Sequence, residues 1–469
     1  MKIVLKSVGA LKGEMEIEPG KLTVFSGGNN TGKTYAMYIL WALFHRRIQH
    51  VFSFAERFAD QLRIQGSVHL PLDEFCAQNW LTIENGIASG LRKRLPDLFS
   101  APPKFFASAE VRINLDLSDF RKFAVAHPSL FKRSIGGVGA SSTLDVRLTN
   151  DDGNLAIALT ALDAGKLPNS LLTEIISSLF IDLVLSTQID GAFLLPAERG
   201  GLNLFYPDLD AKNAALVRHL KRDESNPLEL IKDLMVAQYA EPIDAYIQFL
   251  KRVPRNQRIA SGFHDQALEL QKKIVRVRYK VSKDGVVTAK PYRSDAELGI
   301  HLTSSSVKSF YGLWAWLELQ AKPGDCLMID EPELNLHPDN QRLIARLLAR
   351  LVNLGIKVII STHSDYIIRE LNNMIMLGTT DFPNRTALEK RFGYDDSGQE
   401  RLDATDIAAY QFKESGVHRC EISSEFGIEV SSMDAAINQL NEANSAIYFA
   451  VADALHPVID SEVVQLGAG

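Results

Sequence analysis

Eight residues close to the start of the chain, Gly27-Gly28-Asn29-Asn30-Thr31-Gly32-Lys33-Thr34, follow the spacing G-x-x-x-x-G-K-[ST]. Glycines in such a loop let the backbone curl its N–H groups around phosphate oxygens, and a helix that starts there adds the positive end of its dipole. Gly27, Asn29, Asn30, Thr31 and Gly32 are the expected cradle, Lys33 reaches the outer phosphates, and Thr34 holds Mg2+. A Gly-Asn-rich turn that only caps a buried helix is the plainer alternative.

Two further groups could complete this chemistry. Cys326-Leu327-Met328-Ile329 is an apolar run that ends in Asp330-Glu331. Neighbouring carboxylates at a strand end permit a division of labour: Asp330 on Mg2+ or its waters, and Glu331 on the water that attacks a γ-phosphate in line. Val358-Ile359-Ile360-Ser361 is a second such run and leads into Thr362-His363-Ser364. A histidine there can donate a hydrogen bond to the γ-phosphate and stabilise charge in the transition state. Taken singly, the acidic pair also reads as the start of a loop before Pro332, and the histidine as a structural one.

Converging these segments requires a particular scaffold. Leu22 to Phe25 reads as a strand before the glycine turn, and Lys33 to His50, free of Gly and Pro, as a largely buried helix after it. Lys2 to Leu5 and Met15 to Ile17 join Leu22 to Phe25 in the pattern of a small sheet. Ala192 to Leu195 is another strand, Ser306 to Gln320 and Pro338 to Leu354 are helices, and strand–helix–strand alternation implies parallel pairing. Ser142 to Leu148 and Leu155 to Leu159 flank a turn at Asn150 to Asn154, and Ile274 to Val281 with Val286 to Ala289 form a second hairpin around Lys283-Asp284-Gly285. Organisation weakens after Leu377, apart from a helix from about Met433 to Leu455.

Bulk properties narrow the class. A chain of 469 residues suggests more than one structural unit. With 46% hydrophobic and 23% charged residues, disorder is not expected, and a net charge of -6 argues against coating nucleic acid through the overall field. Cys76, Cys326 and Cys420 are too scattered for a disulfide framework or a zinc site. Met1 to Gly20 does not read as a signal peptide, and Leu171 to Leu185, which contains Glu174 and Asp182, reads as an amphipathic helix and not a membrane span. A cytoplasmic location is expected.

The run CLMIDEPELNLHPDNQ, followed closely by VIISTHSDYII, resembles the ABC-type ATPases related to SMC, RecF and OLD proteins. The resemblance implies an α/β P-loop NTPase fold with a mixed or parallel sheet core, an N-terminal antiparallel β-subdomain and large, mainly helical insertions. It implies ATP and Mg2+ as ligands, Asp330-Glu331 as the Walker B pair, Leu336-His337-Pro338-Asp339 as the D-loop and His363 as the switch histidine. The head then comprises residues 1–50, 187–203 and 274–378. A mainly helical insertion with one hairpin occupies 51–186, a helical basic insertion 204–273, and a C-terminal region 379–469.

The family's signature, which reaches the γ-phosphate of a partner copy, should precede the helix that leads to Asp330. Thr303-Ser304-Ser305-Ser306-Val307-Lys308 stands there in place of Leu-Ser-Gly-Gly-Glu. Ser304, Ser305 and Ser306 either contact nucleotide or serve only as a serine-rich helix cap. Phe193-Leu194-Leu195-Pro196-Ala197-Glu198-Arg199 resembles a segment of ATP-binding proteins from bacterial anti-phage defence operons. Glu198 or Arg199 either senses nucleotide there or forms a surface ion pair. Basic residues dominate Lys251 to Lys280, which is either a strip for nucleic-acid phosphates or a solvated face. OLD nucleases carry an acidic metal site, and the chain after His363 offers only Asp403 and Asp406, in a helix-like setting. The expected protein is an ATPase that pairs with itself, as a dimer or higher even oligomer, and switches a separate nuclease or toxin in phage defence. A RecF-like nucleic-acid ATPase is the alternative; no membrane partner is expected.

Overall fold

The computed structural model describes residues 1–455 except 10, 12, 47, 127–132, 136–143, 152–153, 161–166, 207–238, 254–260, 283–284, 380–381 and 396. A strand covered on both faces must be apolar throughout, and the short runs recognised in the sequence meet that requirement. Four such runs, with two strands not read from the sequence, build a six-stranded sheet in the order Gly416–Arg419, Ile407–Lys413, Leu22–Gly27, Lys357–Thr362, Cys326–Asp330, Ala192–Leu195. Every neighbouring pair is parallel except the outer Gly416–Arg419, which runs antiparallel to Ile407–Lys413. The fold is an α/β P-loop fold with a mixed, mostly parallel sheet.

Register decides what this sheet can do. Gly27 lies opposite Phe412, Ser26 opposite Thr362, and Ser361 opposite Asp330. The glycine turn, the acidic pair and the histidine therefore leave the sheet along one edge, the C-terminal edge where open parallel sheets hold ligands. Helix Lys33–Phe44 is buried along most of its length and packs on the sheet. Ser305–Leu319, Pro338–Asn353 and Asp365–Gly378 supply the other helices around the edge.

Several expectations need correction. Leu22–Gly27 does not join the small N-terminal sheet; it is a central strand. The third strand of the small sheet is Glu110–Asn114, which pairs with Lys2–Lys6 opposite Glu14–Ile17. Val111 and Ile113 do alternate with Glu110, Arg112 and Asn114, but the run is only five residues long and only Ile113 is buried. The hairpin of Leu144–Asp151 with Asn154–Thr160 is present, its turn residues Asp152 and Gly153 lying outside the described residues, but Ser67–Pro71 and Arg133–Ile135 extend it to four strands. The strand expected from Ile274 begins at Val277, because Leu270–Val275 is π-helical and Arg276 is left-handed, with φ 56°. Its partner is Val287–Pro291, and Lys283 and Asp284 of the intervening turn lie outside the described residues.

The largest correction concerns the head's end. The boundary at 378 falls too early, since Ile407–Lys413 lies in the central sheet beside Leu22–Gly27. Two alanines and a single β-branched residue in IAAYQFK give it weak strand character, and the sheet position overrides that. Asp403 and Asp406 belong to a 3-10 turn before this strand, not to a helix. Asp403 accepts from the Thr405 N–H, and Asp406 pairs with Lys21 at 2.8 Å.

Asn169–Ser186 is long and apolar enough to cross a membrane by length and composition, and no other helix among the described residues is. It is spent on the core: Ile176, Phe180 and Val184 are buried, and Phe180 meets Phe54 of Ser53–Gln65 edge to face at 5.3 Å. Residues 429–469 form a second unit, whose described element is the helix Ser431–Leu455.

Candidate active site

The glycine turn is held by close contacts that admit no side chain. Gly27 has φ 135°, and a Cβ there would lie 2.1 Å from the Phe412 carbonyl oxygen. Gly32 has φ 100°, and a Cβ would meet Leu11 Cδ2 at 2.2 Å. Between them Asn30 is left-handed as well, Asn29 and Asn30 are exposed, and Thr31 Oγ1 donates to the Gly28 carbonyl at 2.9 Å. Lys33 folds over the loop, its Nζ donating to the carbonyls of Gly27 at 3.1 Å and Gly28 at 2.8 Å. Burial lowers its pKa, against the attraction of Asp330 and then Glu331 and Glu333.

Thr34 ties the loop to the acidic strand. Its Oγ1 donates to Asp330 Oδ2 at 2.9 Å, although the two residues are far apart in the chain. Asp330 is 4% exposed, and its other oxygen accepts from the Ser361 hydroxyl. No group of three or more His, Cys, Asp or Glu side chains suited to a metal occurs among the described residues. Thr34 and Asp330 instead bring two hard oxygens together, a donor set that fits Mg2+ shared with phosphate and water.

Glu331 follows with φ 51°, a left-handed conformation that costs a non-glycine residue energy. Three bonds hold it there. Its N–H donates to the Ser361 carbonyl at 3.0 Å and is within 3.2 Å of the Ser361 hydroxyl, and its carbonyl accepts from Arg199 Nη2 at 2.7 Å. Burial raises the Glu331 pKa, and Asp330 adds to the shift. His363 Nε2 lies 3.7 Å from Glu331 Oε1, and burial followed by Lys33 lowers the histidine pKa.

Of two supporting residues, Arg199 was read from the sequence for other roles and Glu333 was not read at all. Arg199 forms no surface ion pair: it is 1% exposed, and its Nη1 donates to the carbonyls of Pro196 at 3.1 Å and Asp330 at 2.7 Å. One guanidinium thus grips the backbone of both acidic residues and of its own loop. Neighbouring Glu198 is exposed. Glu333 accepts from the His363 N–H at 2.6 Å and from Thr362 Oγ1 at 2.9 Å, and burial raises its pKa. The second acid of Glu-Pro-Glu was its only signal in the sequence.

The serine turn is built differently. Ser304 caps helix Ser305–Leu319, its Oγ accepting from the Val307 N–H at 3.4 Å and lying 2.9 Å from Ser306 Oγ. Helix start falls on Ser305, one residue before the expected Ser306. These bonds are local, and none joins Ser304–Ser306 to the phosphate loop. His337 caps Pro338–Asn353 through the Asp339 N–H at 3.4 Å, and Asn335 donates to Ser309 Oγ at 3.0 Å, linking the predicted D-loop to the serine-turn helix. The basic strip spreads over a helix end, the π-helical turn and strand Val277–Val281. Lys273 pairs with Glu269 at 2.9 Å and Lys280 with Glu297 at 3.4 Å, while Arg255 and Arg258 lie outside the described residues.

Comparison with known proteins places these features in a family context. Residues 202–369 match the family described as "AAA domain, putative AbiEii toxin, Type IV TA system". The match takes in the serine turn, the acidic pair and His363, and lies outside the phosphate loop. No curated protein matches the chain. Among solved structures, the Smc head domain of Pyrococcus furiosus, with an extended coiled coil and bound to the C-terminal domain of ScpA, shows 16% identity over 94% of this chain and 98% of its own, with a TM-score of 0.33. The SMC head domain of Thermotoga maritima shows 10% identity over 90% of this chain and 98% of its own, with a TM-score of 0.30. The chain is an α/β P-loop protein in which residues 202–369 are similar to AAA domains of the AbiEii-type family.

Proposed function

We propose that this chain binds Mg-ATP at the C-terminal edge of its sheet and hydrolyses it to ADP and phosphate. One observation carries the reading: Thr34 and Asp330 meet at 2.9 Å beneath a lysine-capped glycine turn, with Glu331 and His363 beside them. Lys33 exchanges the Gly27 and Gly28 carbonyls for phosphate oxygens. Thr34 and Asp330 would hold Mg2+, which would supply positive charge to offset that of the outer phosphates. Glu331 orients the attacking water and takes its proton; a raised pKa makes it a stronger base than an ordinary carboxylate. His363, neutral at pH 7 because its pKa is lowered, donates to the γ-phosphate. Arg199 and Glu333 act through others, fixing the backbones of Glu331 and His363.

The serine turn serves a second copy in this reading. Ser304–Ser306 are exposed to half-buried and sit at a helix start, a suitable place for the γ-phosphate bound by a partner's glycine turn. ATP then favours paired heads, and hydrolysis releases them. A switch acting on a separate effector in phage defence rests on the resemblance of Phe193–Arg199 to ATP-binding proteins of defence operons, and the matched family's description adds a putative toxin and a type IV toxin–antitoxin system. Acids beside the basic strip weigh against a nucleic-acid role. Glu331→Gln tests the core: ATP binding is retained while turnover falls on the order of 10³-fold, the range for losing a general base. Normal turnover by the variant would remove Glu331 from the reaction.

A further inference from the structure

The helix Ser431–Leu455 keeps a large apolar surface in water. Leu440 is 70% exposed, Ile447 64% and Val451 50%, and every described side chain from Asn438 to Val451 is exposed. Such an apolar stripe normally has a covering. The sequence states which covering fits. From Met433 onward the core positions recur at alternating spacings of four and three, a heptad pattern. Ile437, Asn444 and Val451 fall at its a positions, and Met433, Leu440, Ile447 and Ala454 at d.

We propose that this helix pairs with the same helix of a second copy of the chain, parallel and in register, as a two-stranded coiled coil. Ile and Val at a with Leu at d select two parallel strands. Asn444 fixes the register more sharply. Its amide sits in the middle of the seam, and in a parallel in-register pair it meets the amide of the other Asn444. A shifted or antiparallel pair, or a purely apolar partner helix, leaves it buried and unpaired, which weakens association roughly 5- to 150-fold. The flanking e and g positions argue for a like partner over a different one. Ala436, Asn441, Ala443, Tyr448 and Ala450 carry no charge, and Asp434 is the one charged residue among them. Partner choice between unlike helices is set by charges at those positions, which are nearly absent here. Glu442 and Asp453 fall at outward positions, so two copies do not repel across the seam.

This contact is separate from ATP-dependent pairing of heads and independent of nucleotide. It would hold two heads at an effective concentration in the millimolar range, so that ATP has only to close a pair already assembled.

Sedimentation velocity on the full chain without nucleotide tests it. The chain should be dimeric at micromolar concentration, and Leu440→Asp with Ile447→Asp should raise the dissociation constant at least about 100-fold. Unchanged far-ultraviolet circular dichroism and an unchanged thermal-unfolding midpoint show that the variant's heads remain folded. Asn444→Cys and Val451→Cys, tested singly, should each give a disulfide-linked dimer under mild oxidation, above the background of the unaltered chain. A monomeric wild type, a double-aspartate variant as dimeric as wild type, or crosslinking at only one of the two positions overturns the proposal. All readouts are nucleotide-free, so failure of the ATPase reading leaves their outcome unaffected.

Discussion

At the acidic edge, Asp330, Glu331 and His363 are each held by partners from other segments of the chain, whereas the bonds of Ser304 are local, to Ser306, Val307 and Lys308. The first region is finished within one copy: its strained backbone and buried charges are already matched. The second is a helix start whose Ser304 and Ser305 are exposed. Bonds from other segments are thus concentrated where the proposed chemistry needs a fixed geometry, and the serine turn is the exposed part, as the proposed contact with a second copy requires.

Substitutions can break this contrast or sharpen it. Lys33→Ala removes the charge over the glycine turn and should weaken ATP binding on the order of 100-fold, measured by calorimetry. Arg199→Lys keeps the charge but cannot grip several carbonyls with one planar fork, and turnover should fall roughly tenfold with ATP affinity little changed. A loss of affinity without loss of turnover would show that Arg199 does not act through Glu331. Ser304→Ala should leave ATP binding by a single copy intact and lower turnover only about fivefold, the scale of a lost cap bond. Equal damage to binding would mean that the serine turn already belongs to the site of its own chain.

A pH profile gives the smallest effect. On the proposed mechanism Glu331 acts as a base only when ionised, so turnover should be present above its pKa and lost as pH falls through it. Burial and Asp330 raise that pKa, and the acidic limb of the profile should therefore lie above the ordinary glutamate value of 4.5. A limb at or below that value would contradict the assignment.

The chemistry was more legible than its support. A glycine turn between a strand and a helix, and short apolar runs ending in acid or histidine, declare themselves because each is a local pattern. Arg199 does not, since a lone arginine after Pro196-Ala197-Glu198 gives no sign that it turns inward to three carbonyls. Glu333 was hidden by resemblance to its neighbour Glu331. Ile407–Lys413 escaped because two alanines dilute its strand character, and its place is set by Leu22–Gly27, nearly four hundred positions away in the chain.

That last pairing has a consequence for biosynthesis. Leu22–Gly27 leaves the ribosome early, yet both strands that flank it, Lys357–Thr362 and Ile407–Lys413, are made near the far end of the message. At about 5–20 residues per second the wait lasts on the order of tens of seconds, during which this apolar strand lacks both strands that flank it. A nascent chain stopped before residue 407 would lack the Phe412 carbonyl that Gly27 packs against, so competence for nucleotide should appear only late in translation.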